Sequence, residues 1–397
     1  MQDEMNVTKQ MSERSGEHDD LPADLGIYLH VPFCIKRCHF CAFYLVLHEE
    51  QRVERFLQAI EQEIALYASQ PGMRERTVAT VYVGGGTPTV LRPEQLALVF
   101  SSITSRFSLS EQCEITVEAT PESLTDKYVD FLQQAGVTRL SIGIQSFNQQ
   151  ERTMLGLSGT RAEAKASVQK AKQAGFSNVN LDLIYGIPNQ TAQSWEMTLA
   201  YALELDPSHL SCYALSLEKG TRFYNEFRRG LFEVMNPDHE ACFQEQAEVQ
   251  LETLKWSRYE LSNWAKPGFA CQHNLRYWRG LEYLGLGPSA QSFVSESRFG
   301  NVSSIEHYSK YLMTGQLPIA TRELLSRFQQ EKERIVFGLR LLEGVPIDWV
   351  YRASQDEAWA ASYETLVEED YLLPTERCVQ LTRKGRQFAD TVGMRLL

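Results

Sequence analysis

Along most of the chain, short runs of β-branched and aromatic residues alternate with helical stretches. The runs are "GIYLHV" from Gly26, "ATVYVGGG" from Ala79, "EITVEAT" from Glu114, "TRLSIGIQS" from Thr138, "NVNLDLIYG" from Asn178 and "HLSCYALS" from His209. Between them lie helix-like segments such as "QRVERFLQAIEQEIALYA", "PEQLALVFSSITSRF", "LTDKYVDFLQQAG", "AEAKASVQKAKQAG" and "SWEMTLAYALEL". "QQAG" and "KQAG" each place glycine where a helix ends before the next strand. This alternation predicts an α/β fold whose parallel sheet has right-handed crossovers, either doubly wound or an incomplete barrel. Polar residues gather at the predicted strand ends: Gly84 to Thr87, Glu118, Gln145, Asp182 and Ser216. In both architectures that carboxyl edge is where ligands bind.

Beyond about residue 230 the alternation weakens. "YELSNWAKPGFACQHNLRYWRG" is rich in aromatics, and "YLGLGPSAQSF" reads as a glycine turn leading into another strand or loop. The last stretch has its own pattern. "EKERIVFGLRLLEG" is an amphipathic helix, "TLVEEDYLL" a helix then a strand, and "VQLTRKGRQFADTVGMRLL" a strand then a helix. Together they predict a small α+β, winged-helix-like unit over 326–397. Its ten Lys or Arg against twelve Asp or Glu argue for packing on the main domain rather than for reading DNA. Residues 1–24 carry seven acidic residues against Lys9 and Arg14, with no periodic apolar pattern, and read as a disordered acidic tail. The expected division is therefore a tail (1–24), a core with a cysteine loop (25–230), an extension (231–325) and the C-terminal unit (326–397).

The formal charge of -12 over 397 residues excludes a broad nucleic-acid or anionic-membrane surface. No apolar run approaches the roughly 18 residues of a membrane helix, and no signal-peptide pattern opens the chain, so a cytoplasmic protein is expected. In that reducing compartment the eight cysteines stay thiols, free to bind metal.

Three of them crowd the loop after the first strand, in "HVPFCIKRCHFCAF". Cys34, Cys38 and Cys41 follow the spacing C-x3-C-x2-C. Zinc would require a fourth ligand, for which His30, His39 and His48 are candidates. A [4Fe–4S] cluster on three cysteines would instead leave one iron open to an outside ligand. Spacing alone leaves both readings open.

"CIKRCHFC" together with "YVGGGTPTVL", "VEATPE", "LSIGIQSF" and "LDLIYGIP" resembles the radical S-adenosylmethionine (SAM) superfamily, within it the group related to oxygen-independent coproporphyrinogen III oxidase. The resemblance runs from about Gly26 to the C-terminus and implies an incomplete (β/α)6 barrel. It also implies a [4Fe–4S] cluster on Cys34, Cys38 and Cys41 whose open iron binds the amino and carboxylate groups of SAM. On this likeness Tyr28 and Phe40 lie beside SAM, Gly85, Gly86 and Thr87 admit its methionine end, and Glu118, Gln145 and Asp182 hydrogen-bond its polar groups.

The porphyrin-decarboxylating enzymes of the group resemble one another in a further cysteine two positions after the third, and in a longer N-terminal region. Here that position is Phe43, and fewer than ten residues of the fold precede the cysteine loop. "HNLRYW" matches a signature of heme-carrying relatives, implying that His273, Asn274, Tyr277 and Trp278 serve heme, with His273 offering an imidazole to the iron and the two aromatics a flat apolar surface. Cys271 is a second candidate ligand, and a buried histidine with two core aromatics is the plainer reading. Leu157 stands where relatives carry arginine, and Gln291 where they carry histidine, which disfavours a second bound SAM. The resemblance thus implies a heme chaperone that passes heme to an acceptor protein. Its partners would include an electron donor for the cluster and, as a homodimer, a second copy of the chain. The alternatives are a coproporphyrinogen III dehydrogenase and a zinc-stabilised binding module.

Overall fold

The computed structural model describes residues 24–397. Six parallel strands form its centre: β1 (Leu25–Val31), β2 (Thr77–Gly85), β3 (Ser108–Ala119), β4 (Arg139–Gln145), β5 (Asn178–Tyr185) and β6 (His209–Ala214). The helices between them are α1 (Glu50–Ala68), α2 (Pro93–Thr104), α3 (Asp126–Gln134), α4 (Gln149–Leu155), α5 (Arg161–Gln173) and α6 (Ala192–Glu204). Gly136 and Gly175, just past α3 and α5, have φ of +81° and +97°, the left-handed geometry that ends a helix most easily at glycine.

Period-two alternation explains the centre of the fold. Val81, Val83, Val117, Leu140, Ile142, Leu181, Leu183 and Leu210 belong to one hydrophobic core with residues of the helices. The alternate residues, Thr80, Tyr82, Glu118, Ser141, Asn180, Asp182, His209 and Ser211, hydrogen-bond to one another or to residues held inside the curved sheet. The barrel interior is therefore polar and largely satisfied from within, Thr116 Oγ1 and Arg139 Nε being the buried exceptions on these strands.

After β6 come α7 (Arg222–Arg228), α8 (Pro237–Thr253), the short β7 (Asn263–Ala265), and α9 (Gln272–Trp278). β8 (Tyr283–Leu286) pairs parallel with β1, and β9 (Gln291–Val294), β10 (Ser297–Asn301) and β11 (Ile319–Leu324) continue outward antiparallel, with α10 (Ile305–Met313) between the last two. β7 pairs antiparallel with β6. The result is one open sheet of twelve strands rather than a closed ring. "YLGL" itself is thus a strand, where the sequence suggested a turn leading into one; Leu284 and Leu286 are fully buried beside β1. The hydrophobic core runs unbroken from Leu25 to Leu312, so residues 231–325 enlarge the first domain's sheet.

A buried carboxylate joins the two parts. Glu63 of α1 accepts hydrogen bonds from Gly287 N (2.7 Å), Asn301 Nδ2 (2.6 Å) and Tyr308 Oη (2.6 Å). Burial pushes its pKa up to about 7.

The expected acidic tail lies outside the described residues except for Asp24, which belongs to the fold. Arg276 of α9 donates to its Oδ1 (2.9 Å) and its carbonyl (3.1 Å). The C-terminal elements are α11 (Arg327–Gly338), β12 (Val345–Pro346), α12 (Ile347–Ala353), α13 (Glu357–Glu368), β13 (Leu372–Pro374), β14 (Cys378–Leu381), α14 (Arg383–Gln387) and α15 (Ala389–Leu396). They surround a core of their own, including Ile335, Val350, Trp359, Leu366 and Val379. Among the described residues no helix is long and apolar enough to cross a membrane.

Glu63 makes a prediction. Its folded pKa lies above the ordinary 4.5, so between those values unfolding releases a proton and stability falls as pH rises. Relative to Glu63→Gln, the wild-type melting temperature should fall between pH 4.5 and 7, for a total of about 3 kcal/mol, and stay parallel above. Thermal melts of both chains at stepped pH check this; a constant difference would refute it.

Candidate functional site: a cysteine loop beside an aromatic cavity

The cysteine loop is pinned at its base. Phe33–Cys34 pairs parallel with Val46–Leu47, and His48 N donates to Cys34 O (2.9 Å). On the barrel side Gly86 N donates to Val31 O (2.8 Å) and Thr87 N to Phe33 O (2.7 Å), while Thr87 Oγ1 lies 3.4 Å from Cys34 Sγ. A Cβ on Gly86 would stand 2.6 Å from Phe33 O, so only glycine lets the two backbones meet. On the other side His39 N donates to Leu155 O (2.9 Å), and Phe40 packs in an apolar group with Leu155, Leu157, Ile187 and Phe223. That places the Leu157 departure under the loop.

Cys34, Cys38 and Cys41 are all free thiols, the first buried and the others half-buried. Burial raises all three pKa values, that of Cys38 to about 12, with Cys41 and Cys34 adding to it. The histidines proposed as zinc ligands are occupied or packed. His39 Nδ1 donates to Met154 O (2.8 Å) and its Nε2 accepts from Arg222 (2.9 Å). His30 Nε2 donates to Tyr44 O (2.9 Å) and its Nδ1 accepts from Tyr28 Oη (3.2 Å). His48 lies edge-on to Phe33. Among the described residues no three His, Cys, Asp or Glu side chains converge on one metal ion.

At the strand ends, Glu118 is the acidic group whose charge reaches Cys34 and Cys41. Gly85, with φ of +106°, donates its N–H to Glu118 Oε2 (3.1 Å), and Tyr82 Oη donates to Glu118 Oε1 (2.8 Å). Burial, with Asp182 nearby, pushes the Glu118 carboxyl up to about 7. Asp182 accepts from Ser141 Oγ (3.1 Å) and Asn180 Nδ2 (2.9 Å), and burial raises its pKa too. Gln145 is left-handed at φ +64°, at an irregularity in the β4–β5 pairing. A non-glycine residue there carries some backbone strain.

The "HNLRYW" motif forms the short helix α9, which buries its histidine and turns its last aromatics outward. His273 is 1% exposed and has no open ring nitrogen: Nδ1 bonds Thr80 Oγ1 and Nε2 bonds Tyr277 Oη, both at 2.8 Å. Its backbone N–H donates to Glu114 (3.1 Å), and Cys271 is buried against the same carboxylate. Burial and the charges of Arg276 and Arg139 lower the His273 pKa to about 3, so the ring is neutral. In this structure the imidazole is buried between Thr80 of β2 and the Tyr277 hydroxyl. Asn274 is half-buried on the same helix.

Tyr277 and Trp278 emerge from this helix into a cavity of ≈ 470 Å³. Its walls include Tyr28 of β1, Phe43 and Tyr44 of the cysteine loop, and Phe337 of α11; Gln291, the other departure, also lines it. Phe43 is 65% exposed. Trp278 Nε1 is buried without a hydrogen-bond partner, while Arg340 stacks 4.5 Å from its ring. Tyr283, which meets Tyr277 edge to face at 4.6 Å, completes a ring column Tyr82–His273–Tyr277–Tyr283 between the strand ends and the cavity. Tyr82 and Tyr283 were missed in the sequence. The inward parity of Tyr82, two residues before Gly84, was a usable signal for the first; Tyr283 had none.

A three-cysteine loop on the carboxyl edge of an open parallel barrel, with a glycine run packed against it, defines a radical SAM protein. The Radical SAM superfamily matches residues 28–202. Over nearly its whole length the chain is 31% identical to the heme chaperone HemW of Lactococcus lactis (93% of this chain, 96% of the relative) and 35% identical to that of Mycobacterium tuberculosis (94% of each). It belongs to the HemW family. The fold matches the radical SAM enzyme coproporphyrinogen III oxidase (HemN) of Escherichia coli with a TM-score of 0.81 at 22% identity, over 98% of this chain and 93% of that one.

The Gly86 contact is directly testable. Gly86→Ala forces apart two backbone segments, at a cost of about 1–3 kcal/mol. The variant should melt lower, and Cys34 should react with a thiol reagent about tenfold faster in the native state. Unchanged reactivity would mean that the glycine does not hold the loop.

Proposed function

We propose that this chain binds heme and passes it to an acceptor protein, with a [4Fe–4S] cluster on Cys34, Cys38 and Cys41 and SAM beside it. The observation that carries the reading is the aromatic cavity, walled by Tyr277 and Trp278 on one flank and by Phe43 and Tyr44 of the cysteine loop on another. Flat ring walls suit a porphyrin face. Trp278 presents its ring to the cavity, while its N–H is buried behind it. The relatives' name, heme chaperone, agrees with this cavity.

His273 serves this site from behind. It orients the Tyr277 hydroxyl through Nε2, and Thr80 in turn fixes the imidazole. Tyr277 and Trp278 are therefore the contact residues, and His273 is a positioning residue.

The cysteine loop fits a polynuclear centre better than zinc. Cys41 and Cys34 both raise the Cys38 pKa, which brings the three thiols into one neighbourhood, while the nearby histidines are occupied or packed. In this superfamily such a cluster supplies an electron for cleaving the SAM sulfonium. Around it, Gly85 to Thr87 keep the backbone close, Tyr28 and Phe40 offer apolar surface, and Glu118, Gln145 and Asp182 present polar groups at the strand ends. Phe43, exposed at the cavity where decarboxylating relatives carry a further cysteine, argues for carriage over porphyrinogen chemistry.

Anaerobic reconstitution followed by a heme titration tests the reading, with SAM and coproporphyrinogen III offered in parallel. Saturable heme binding without porphyrinogen turnover is expected. His273→Ala and Tyr277→Ala should each weaken heme about tenfold, the loss of one good contact. Replacing the three cysteines by alanine should remove iron and sulfide. Turnover without heme saturation would make the chain a coproporphyrinogen III dehydrogenase; bound zinc without iron would make it a zinc-stabilised module.

A further inference from the structure

The cavity is aromatic on most sides, yet one ion pair is built into its wall. Arg298 of β10 and Glu333 of α11 both line it. They meet fork to fork, Nη1 to Oε1 at 2.7 Å and Nη2 to Oε2 at 2.5 Å. Their side chains are 32% and 16% exposed, so neither is an ordinary surface charge. The guanidinium also lies 5.9 Å from the Phe337 ring.

Such a pair is a poor choice for stability alone, because removing two charges from water costs about as much as their attraction returns. A planar, bidentate guanidinium is instead the group best matched to a carboxylate. In this wall it already holds one, supplied by the chain itself. Heme has an apolar macrocycle with two propionate carboxylates on one edge, the pattern of a ring-lined cavity with a cation at its side.

We infer that Arg298 anchors a propionate carboxylate of the bound tetrapyrrole, and that Glu333 is a resident carboxylate which that propionate displaces. The inference rests on the reading of the cavity as a heme site and adds the chemistry by which carboxylated tetrapyrroles are preferred. Arg298 is mounted on the sheet and Glu333 on α11, so the exchange also releases a clasp between the sheet and the first C-terminal helix. Binding and that clasp are then linked, each weakening the other.

The test compares hemin with hemin dimethyl ester, which keeps the ring and loses both charges. Absorbance titrations of the full chain would be run on the wild type, Arg298→Gln, Arg298→Lys and Glu333→Gln, with a thermal melt of each. Wild type should bind hemin several-fold more tightly than the ester, the pair gained with the propionate outweighing the pair given up with Glu333. Arg298→Gln should abolish that preference by weakening hemin far more than the ester, while Arg298→Lys retains part of it. Glu333→Gln should tighten hemin several-fold and leave the ester alone, although it lowers the melting temperature by opening the clasp. That combination separates an anchor from a purely structural ion pair, whose loss would weaken both ligands together.

Equal affinity of the wild type for hemin and the ester, or weaker hemin binding in Glu333→Gln, would overturn the inference and leave the heme reading intact. Wild type that saturates with neither ligand would overturn the heme reading itself. Should the Arg298 variants fail to fold, the wild-type ester comparison and Glu333→Gln still decide.

Discussion

The site depends on one close approach between two backbones. Gly86, at the end of β2, lies so near the chain before Cys34 that Gly86 N reaches Val31 O and Thr87 N reaches Phe33 O. The position of the first thiol is therefore set by the sheet and not by the loop that carries it. The same turn aims Gly85 N at Glu118, and Thr87 Oγ1 at Cys34 Sγ. With His39 fastened to Leu155 and Met154 on the far side, the loop is clamped between a strand end and a helix end. Loops that present ligands work when a rigid scaffold holds both sides, and here the scaffold is backbone.

A second constraint follows from the polar interior of the barrel. Buried polar groups must find partners, and here they find them in each other: Asn180 with Ser141, His209 with Asn180, Glu118 with Tyr82, His273 with Thr80 and Tyr277. α9 closes this network. Its histidine is spent internally, and only the last residues of its motif, Tyr277 and Trp278, reach the cavity. The network thus extends from the strand ends to the cavity wall through side chains that are all neutral or paired.

The sequence made some of this legible and concealed the rest for physical reasons. The six strand–helix units could be read because each strand alternates with period two and several helices stop at glycine. The strand-end residues followed, since a parallel sheet presents its carboxyl ends together. β8 was harder: "YLGLG" has a strand's apolar spacing inside a turn-rich string, and only its pairing with β1 decides the matter. The "HNLRYW" motif was visible but its division of labour was not, because the partner that takes His273 Nδ1 lies 193 residues away in sequence. The cavity wall was the least legible part. Arg298 and Glu333 sit on elements from different parts of the chain, and their facing one another is a property of packing alone.

The two ends of the twelve-stranded sheet are finished differently. One end is β11, whose residues from Ala320 to Leu324 are exposed and include Thr321, Arg322 and Glu323. The other is the two-residue ladder Ser257–Arg258. An open edge invites another chain to extend the sheet, and natural proteins blunt such edges with charge or with brevity. This chain uses charge at one end and brevity at the other. Continuation of the sheet from one copy into the next is thereby disfavoured at both ends. Each copy's sheet is thus finished within its own chain.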